Sequence, residues 1–244
     1  MSRTIRRVLI ILVLAVAVLL VVGDRLAVSA AQHAIAVKAR NAAQLKETPS
    51  VTITGTPFLT QAVSGRYDKI KITAHDIHRG GIRIDTIHAE FSGVHVSLSD
   101  ALNGKVSSVP IDKGVGDFVI TYPDLTSFFT AKKITVTANG SALAVDAKVT
   151  VNGAVLDVQG SYDVRTSGQD LVFSPIGASL RVNGAAVPTP ALPTVVTAMT
   201  VSIDTGVLPF GLKVASVKVM PGGVRVDAAA TGLVVPVPDD ASRS

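Results

Sequence analysis

Lys69-Ile70-Lys71-Ile72-Thr73, then Ile82-Arg83-Ile84-Asp85, then Ile87-His88-Ala89-Glu90-Phe91 alternate apolar and polar residues one by one. Side chains on a strand point to opposite faces in turn, so this period of two predicts β-strands with one apolar face. The apolar set moves by one position at Asp85-Thr86 and again at Gly93, before Val94, Val96 and Leu98. Each slip predicts a β-bulge, and a strand bulged twice within twenty residues bends strongly.

Strands continue on the C-terminal side. Ile134, Val136 and Ala138, then Leu143, Val145, Ala147, Val149 and Val151, then Leu156, Val158, Tyr162 and Val164 read as a meander. Asn-Gly pairs at Asn139 and Asn152 separate its strands, and further pairs begin at Asn103 and Asn183. The dipeptide supplies the two positive-φ positions of a type I′ hairpin turn. Asp124 is expected to cap a short helical turn, 124–129, after a strand over 118–122. Residues 188–193 read as a loop, and strands over 212–219 and 224–230 are joined across Pro221-Gly222-Gly223. Beyond Val237 a polar, disordered tail is expected.

On the N-terminal side the period changes to that of a helix. Residues 24–46 contain neither Pro nor Gly, and Leu26, Ala30, Ala34, Val37 and Leu45 fall on one side at 100° per residue. This predicts an amphipathic helix with a thin, alanine-rich stripe that lets a sheet approach closely, ended by Thr48-Pro49. The fold class is α+β: a long N-terminal amphipathic helix wrapped by a strongly bent antiparallel sheet.

Arg3, Arg6 and Arg7 precede fifteen residues, 8–22, without a polar side chain. A basic run followed by an apolar run is the layout of an export signal, and clustered arginines before it place the following chain outside the cytoplasm. Fifteen residues are few beside the roughly 20 of a membrane-spanning helix, which fits a signal peptide or a short anchor. Val28-Ser29-Ala30 and Ser29-Ala30-Ala31 offer cleavage sites, but a cut after Ala30 removes Leu26 and Ala30 from the helix stripe, which favours an uncut anchor.

Composition excludes several functions. There is no Cys, hence no disulfide, no thiolate metal site and no lipidated cysteine. The formal charge is +5, of which +3 lies in the first thirty residues, so the remainder lacks the basic footprint of a nucleic-acid binder. His75, His78, His88 and His95 lie near Asp76, Asp85 and Glu90, the residue types of a metal site. Strand parity separates them, because His75 and His78, three apart, point to opposite faces of one strand. Nucleophile elbows and phosphate loops are absent, and the chain contains only two Glu. No catalytic residue, metal site or cofactor is therefore expected. A metal-dependent hydrolase using His88, Glu90 and His95 remains the least favoured reading.

Two irregular apolar segments stand out: Gly55-Thr56-Pro57-Phe58-Leu59-Thr60-Gln61 and Val207-Leu208-Pro209-Phe210-Gly211-Leu212. Each reads either as a plug for the end of the core or as an apolar lip at a ligand mouth or membrane surface. The helix, then Val51-Thr52-Ile53-Thr54-Gly55-Thr56-Pro57-Phe58-Leu59-Thr60-Gln61, then Gly65-Arg66-Tyr67 before an alternating strand resemble the LmeA-like family of actinobacterial cell-envelope phospholipid-binding proteins. The closing Leu208-Pro209-Phe210-Gly211-Leu212 and Pro221-Gly222-Gly223-Val224 are similar to that family's last hairpin.

The resemblance implies a phospholipid-binding envelope protein without established enzymatic activity, a tubular lipid-binding-like sheet and a role in lipoglycan maturation. On this reading residues 1–23 are a signal peptide or membrane anchor, 24–235 a lipid-binding domain and 236–244 a disordered tail. The lipid mouth is expected at Pro57, Phe58, Leu59, Thr60, Gln61, Pro209 and Phe210. Lys69, Lys71, Arg79 and Arg83, the nearest basic set, are the candidates for a phosphate head group. Expected partners are a phospholipid, the inner membrane, and an envelope glycosyltransferase or other envelope protein, with no nucleic acid. The competing reading is a structural protein whose surface docks an envelope enzyme.

Overall fold

In the computed structural model, residues 3–79, 82–128, 133–151, 154–168, 170–204, 208 and 211–237 are described. The chain is α+β, a long helix set against two large antiparallel sheets that do not close into a barrel. One helix, α1 (Arg3–Ala42), is continuous through Gly23. Residues 10–22 are apolar and exposed, and the helix is long and apolar enough to cross a membrane.

The second half of α1 packs on the domain with a different stripe from the one expected. Of the expected stripe Leu45 is buried, but Leu26, Ala30, Ala34 and Val37 are exposed. The packed side carries Asp24, Ala27, Val28, Ala31, Ile35, Ala36, Ala39 and Ala43. The face is mostly Ala, whose small side chains bring the helix axis close to the sheet, and Val28 and Ile35 on it are only partly buried. The helix also ends before Thr48-Pro49: Gln44 takes the left-handed conformation (φ 54°), and the Leu45 N–H returns to the Arg40 carbonyl at 2.9 Å.

Six strands form the first sheet: β1 (Ser50–Thr54), β2 (Arg66–Arg79), β3 (Ile82–His95), β4 (Ser108–Thr121), β12 (Lys213–Met220) and β13 (Gly223–Pro236), in the order β1-β2-β3-β4-β13-β12. Both slips of apolar phase exist, but neither is a bulge. His75 pairs with Thr86 and Ile77 with Ile84, so Asp76 and Asp85 stand opposite each other and the register is unchanged. An inserted residue would have offset it. Both strands instead change face together, with Asp76 at φ 50°.

The second slip runs across four strands. Tyr67 pairs with Val94 and Lys69 with Ser92, Ser92 with Lys113 and Val94 with Ile111, and Thr231 with Lys113 and Leu233 with Ile111. Asp68, Gly93, Asp112 and Gly232 therefore form one transverse row at which every strand turns its face, with the two glycines at φ 62° and 60°. At Gly93 a Cβ would lie 2.0 Å from Asp112 Oδ2, so the row is closed to side chains there. A true bulge does occur in β12, between Val214 and Ser216.

Seven strands form the second sheet. Its meander is β5 (Lys133–Asn139), β6 (Ala142–Val151) and β7 (Ala154–Ser167), extended by β8 (Asp170–Pro175), β9 (Arg181–Val182), β10 (Ala185–Ala186) and β11 (Val201–Asp204). The first Asn-Gly turn is displaced by one residue. Asn139 pairs with Ala142, which leaves Gly140-Ser141 as the loop with only Gly140 at positive φ. Asn183-Gly184 is the pair with both residues at positive φ, joining β9 to β10, while Asn103-Gly104 closes a helix, α3 (Leu98–Leu102). Asn152-Gly153 lies outside the described residues.

The short helices carry further corrections. Thr121, not Asp124, caps α4 (Tyr122–Phe128): its Oγ1 accepts the Asp124 N–H at 3.3 Å and donates to Asp124 Oδ2 at 2.7 Å. Phe129 lies outside the described residues. The expected loop over 188–193 instead leads into α5 (Leu192–Met199), whose Pro193 sits in the first turn, where a missing N–H costs nothing. Strand β13 reaches Pro236 and the Val237 N–H bonds the Ser107 carbonyl, whereas 238–244, most of the expected tail, are outside the described residues. One continuous core joins both sheets, from Ile53 and Ile72 through Phe118 and Val226 to Leu171 and Phe173.

Candidate functional site

The Pro57-to-Gln61 segment forms a helix, α2 (Phe58–Ser64), between Gly55 (φ 108°) and Gly65 (φ 68°). Phe58 turns into the core beside Tyr67, with ring centroids 5.9 Å apart, and burial raises the Tyr67 phenol above its usual range. Gln61 and Ala62 are buried with it. Pro57 and Thr60 are exposed, as are Leu59 (39%) and Val63 (78%), which lie four apart and share one face. The helix thus plugs the core with one side and shows an apolar pair on the other.

Gln61 is 92% buried, and its Oε1 accepts the Asp68 N–H at 2.8 Å, which fixes the amide orientation. Among the described residues its Nε2, with two N–H donors, has no hydrogen-bond partner. Gly55 makes room for it, because a Cβ there would stand 2.5 Å from that nitrogen.

Sequence reasoning overlooked Asp24. Proline caps α2 without a side-chain acceptor. The Asp24 carboxylate, carried on α1 and 8% exposed, accepts the Leu59 N–H at 2.8 Å in its place. A partner 35 residues away leaves no local signature; only an acid directly after an apolar run marks it.

The second apolar segment resolves partly. Leu208 and Leu212 are buried, and Leu212 lies over Gly114 and Gly116 of β4, where a Cβ would approach its methyls to 2.8 and 2.9 Å. Pro209 and Phe210 lie outside the described residues.

The four basic candidates do not form one group. Lys69 and Lys71 share Glu90, at 2.7 and 3.5 Å, and the bond from Lys69, followed by the charge of Lys71, holds that carboxyl below its usual range. Arg83 donates from Nε to Asp76 at 2.9 Å and also meets Asp85. That bond, with one from Lys46, depresses Asp76. Arg79 pairs with Ile82 where β2 meets β3. Lys69 lies opposite Ser92 and Arg83 opposite His78, nine residues along β2, or about 30 Å at 3.3 Å per residue. The Arg83 group is thus at the end of the sheet away from α2.

The histidines do not converge either, although the face change at Asp76 leaves His75 and His78 both exposed rather than on opposite faces. His75 Nδ1 meets Thr86 Oγ1 at 3.0 Å, His88 lies 3.8 Å from Asp117, and His95 lies 3.1 Å from Asp112. Among the described residues no three His, Asp or Glu side chains converge as metal ligands would. A groove of about 580 Å³ does open on the polar face of the six-stranded sheet, bordered by Lys71, His88, Glu90, Asp117, Arg225 and Asp227. Its charges are largely matched internally: Arg225 binds Asp227 at 2.9 Å and Asp117 at 3.4 Å.

Comparison with known families finds a match to the family described as LmeA-like phospholipid-binding, over residues 22–229. No curated protein and no solved structure matches the chain.

Proposed function

The chain belongs to the LmeA-like phospholipid-binding family, and we propose that it binds its lipid at the α2 corner, with acyl chains entering between α1 and the six-stranded sheet. Family membership carries lipid binding as such and accounts for the chain as a cell-envelope protein without need of catalysis. The observation that carries the location is the buried, unpartnered Gln61 amide beneath an exposed Leu59–Val63 pair.

A buried donor left unpaired costs about 1–3 kcal/mol. Movement of α2 about Gly55 and Gly65 would uncover that nitrogen to an ester or phosphate oxygen and lift Phe58 from the core. Acyl burial then supplies about 0.8 kcal/mol per methylene. Lys69 and Lys71, on the strand that follows α2, are the basic pair within reach of a head group, and Arg83 is not. Transfer of lipid from the inner membrane, in support of lipoglycan or envelope maturation, is the role this arrangement suits.

Full-length protein carrying a photoactivatable phospholipid should crosslink within residues 57–63. Crosslinks confined to the polar groove would overturn the location. That groove supports a second reading, in which the outer face of the sheet docks an envelope glycosyltransferase or other envelope protein.

A further inference from the structure

The Asp24–Leu59 bond joins the helix that leaves the domain to the corner that exposes apolar side chains. Residues 10–22 of α1 are exposed apolar helix, and Asp24 follows them directly. The acceptor that caps α2 therefore sits at the point where the apolar span ends. Around it are exposed Leu26, Leu59 and Val63, and α3, which packs beside α2, exposes Leu102 (78%). Arg25, the next residue, is exposed.

The other end of the sheet is charged. From Asp24 to Ala42, α1 runs about 27 Å at 1.5 Å per residue. Lys46 then reaches Asp76 at 3.2 Å, in the group that includes Arg83, Asp85 and Asp124. The end of the sheet joined to the membrane-length helix exposes Leu59, Val63 and Leu102 beside the ion pairs of Asp112 with Arg66 and His95, and the other end is charged.

We propose that α1 is retained and that the α2–α3 corner is seated in the outer leaflet of the membrane α1 crosses, with Leu59, Val63 and Leu102 entering the interface and Asp24 clamping α2 at that depth. The occupant of this surface is a lipid bilayer, because the apolar span of α1 is continuous with it. A cut after Ala30 would remove Asp24 and leave the α2 N-terminus without its acceptor, so the clamp and the cleaved form exclude each other. The seat presupposes a retained α1 but not a lipid held inside the domain.

The absence of Cys allows single-cysteine reporters in the full chain. Val63→Cys, Leu102→Cys and Met220→Cys variants are labelled with a fluorophore in nanodiscs of phosphatidylglycerol and phosphatidylcholine containing a nitroxide lipid. Met220 pairs with Gly223, and Gly223 with Thr121, ten residues along β4 from Ile111 near α3, or about 33 Å away. Strong quenching at positions 63 and 102 and weak quenching at 220 is expected; equal, weak quenching at all three overturns the seat. Asp24→Ala should lower quenching at 63 while Asp24→Asn, which keeps an acceptor oxygen, retains it. Unchanged quenching in Asp24→Ala, or loss in both, overturns the clamp. Mass spectrometry of the same samples reads lipid occupancy separately, so a seated but empty protein counts against the binding reading alone.

Discussion

Gly93→Ala tests the transverse row that turns the six-stranded sheet. Two costs are expected. Gly93 has φ 62°, a conformation that costs an L-residue about 1–2 kcal/mol. The new methyl would also stand 2.0 Å from Asp112 Oδ2, 2.5 Å from its Cγ and 2.8 Å from its Cβ, and overpacking of this kind costs about 1–3 kcal/mol. Moving Asp112 aside further breaks its bonds to Arg66 and His95, at 3.0 and 3.1 Å. A loss of about 3 kcal/mol is expected in all. Gly104→Ala is the reference, since Gly104 has φ 65° and nothing within 4 Å of a Cβ, and so carries only the backbone cost. In the double variant, Asp112→Ala removes the two closest contacts and should recover about 1 kcal/mol, read as coupling in a double-mutant cycle. Urea unfolding of the full chain in detergent, followed by circular dichroism, measures all five proteins, the unsubstituted chain included. If Gly93→Ala costs no more than Gly104→Ala, the face change does not pass through this residue.

Other expectations follow from the same packing. Phe58→Ala should destabilise by about 3–5 kcal/mol, the usual cost of emptying a buried aromatic site, and should speed amide exchange through α2 before the meander is affected. A chain beginning at Ala31 lacks Asp24, and hydrogen bonds to charged groups are worth about 1.5–3 kcal/mol. The Leu59 amide should therefore exchange markedly faster than in the full chain. Asp227, bonded by Arg225 and Ser216, and Glu90, bonded by Lys69, titrate below their reference values of 3.8 and 4.5. Such depressed groups stabilise the fold fully above those values and lose that contribution as pH falls below them. Asp227→Asn and Glu90→Gln should flatten the stability profile on the acid side and leave it unchanged in slope at neutral pH.

Period-two alternation was enough to place β2, β3 and the meander, because a half-buried strand writes its faces directly into its sequence. Phase slips were equally visible, but their cause was not: an insertion in one strand and a joint face change in four look alike along any single strand. Only the pairing of Asp76 with Asp85, and the row through Gly93 and Gly232, separates them. The α1 stripe was misplaced because hydropathy favours Leu26 and Val37, whereas close approach to a sheet favours Ala31, Ala36 and Ala39. The α5 helix was hidden by Pro193, a breaker within a helix but not in its first turn. At the candidate site, Pro57 to Gln61 stood out in the sequence as an irregular apolar segment. Asp24 did not, because its role depends on α2 being folded against α1.

Native mass spectrometry of the full-length protein, released from its own membrane in mild detergent, tests the central claim most directly. A phospholipid bound at one per chain, reduced on Gln61→Glu, which keeps an acceptor for the Asp68 N–H but removes the unpaired donor, is the predicted result. Protein that carries no lipid, and takes none up from phospholipid vesicles, would contradict it.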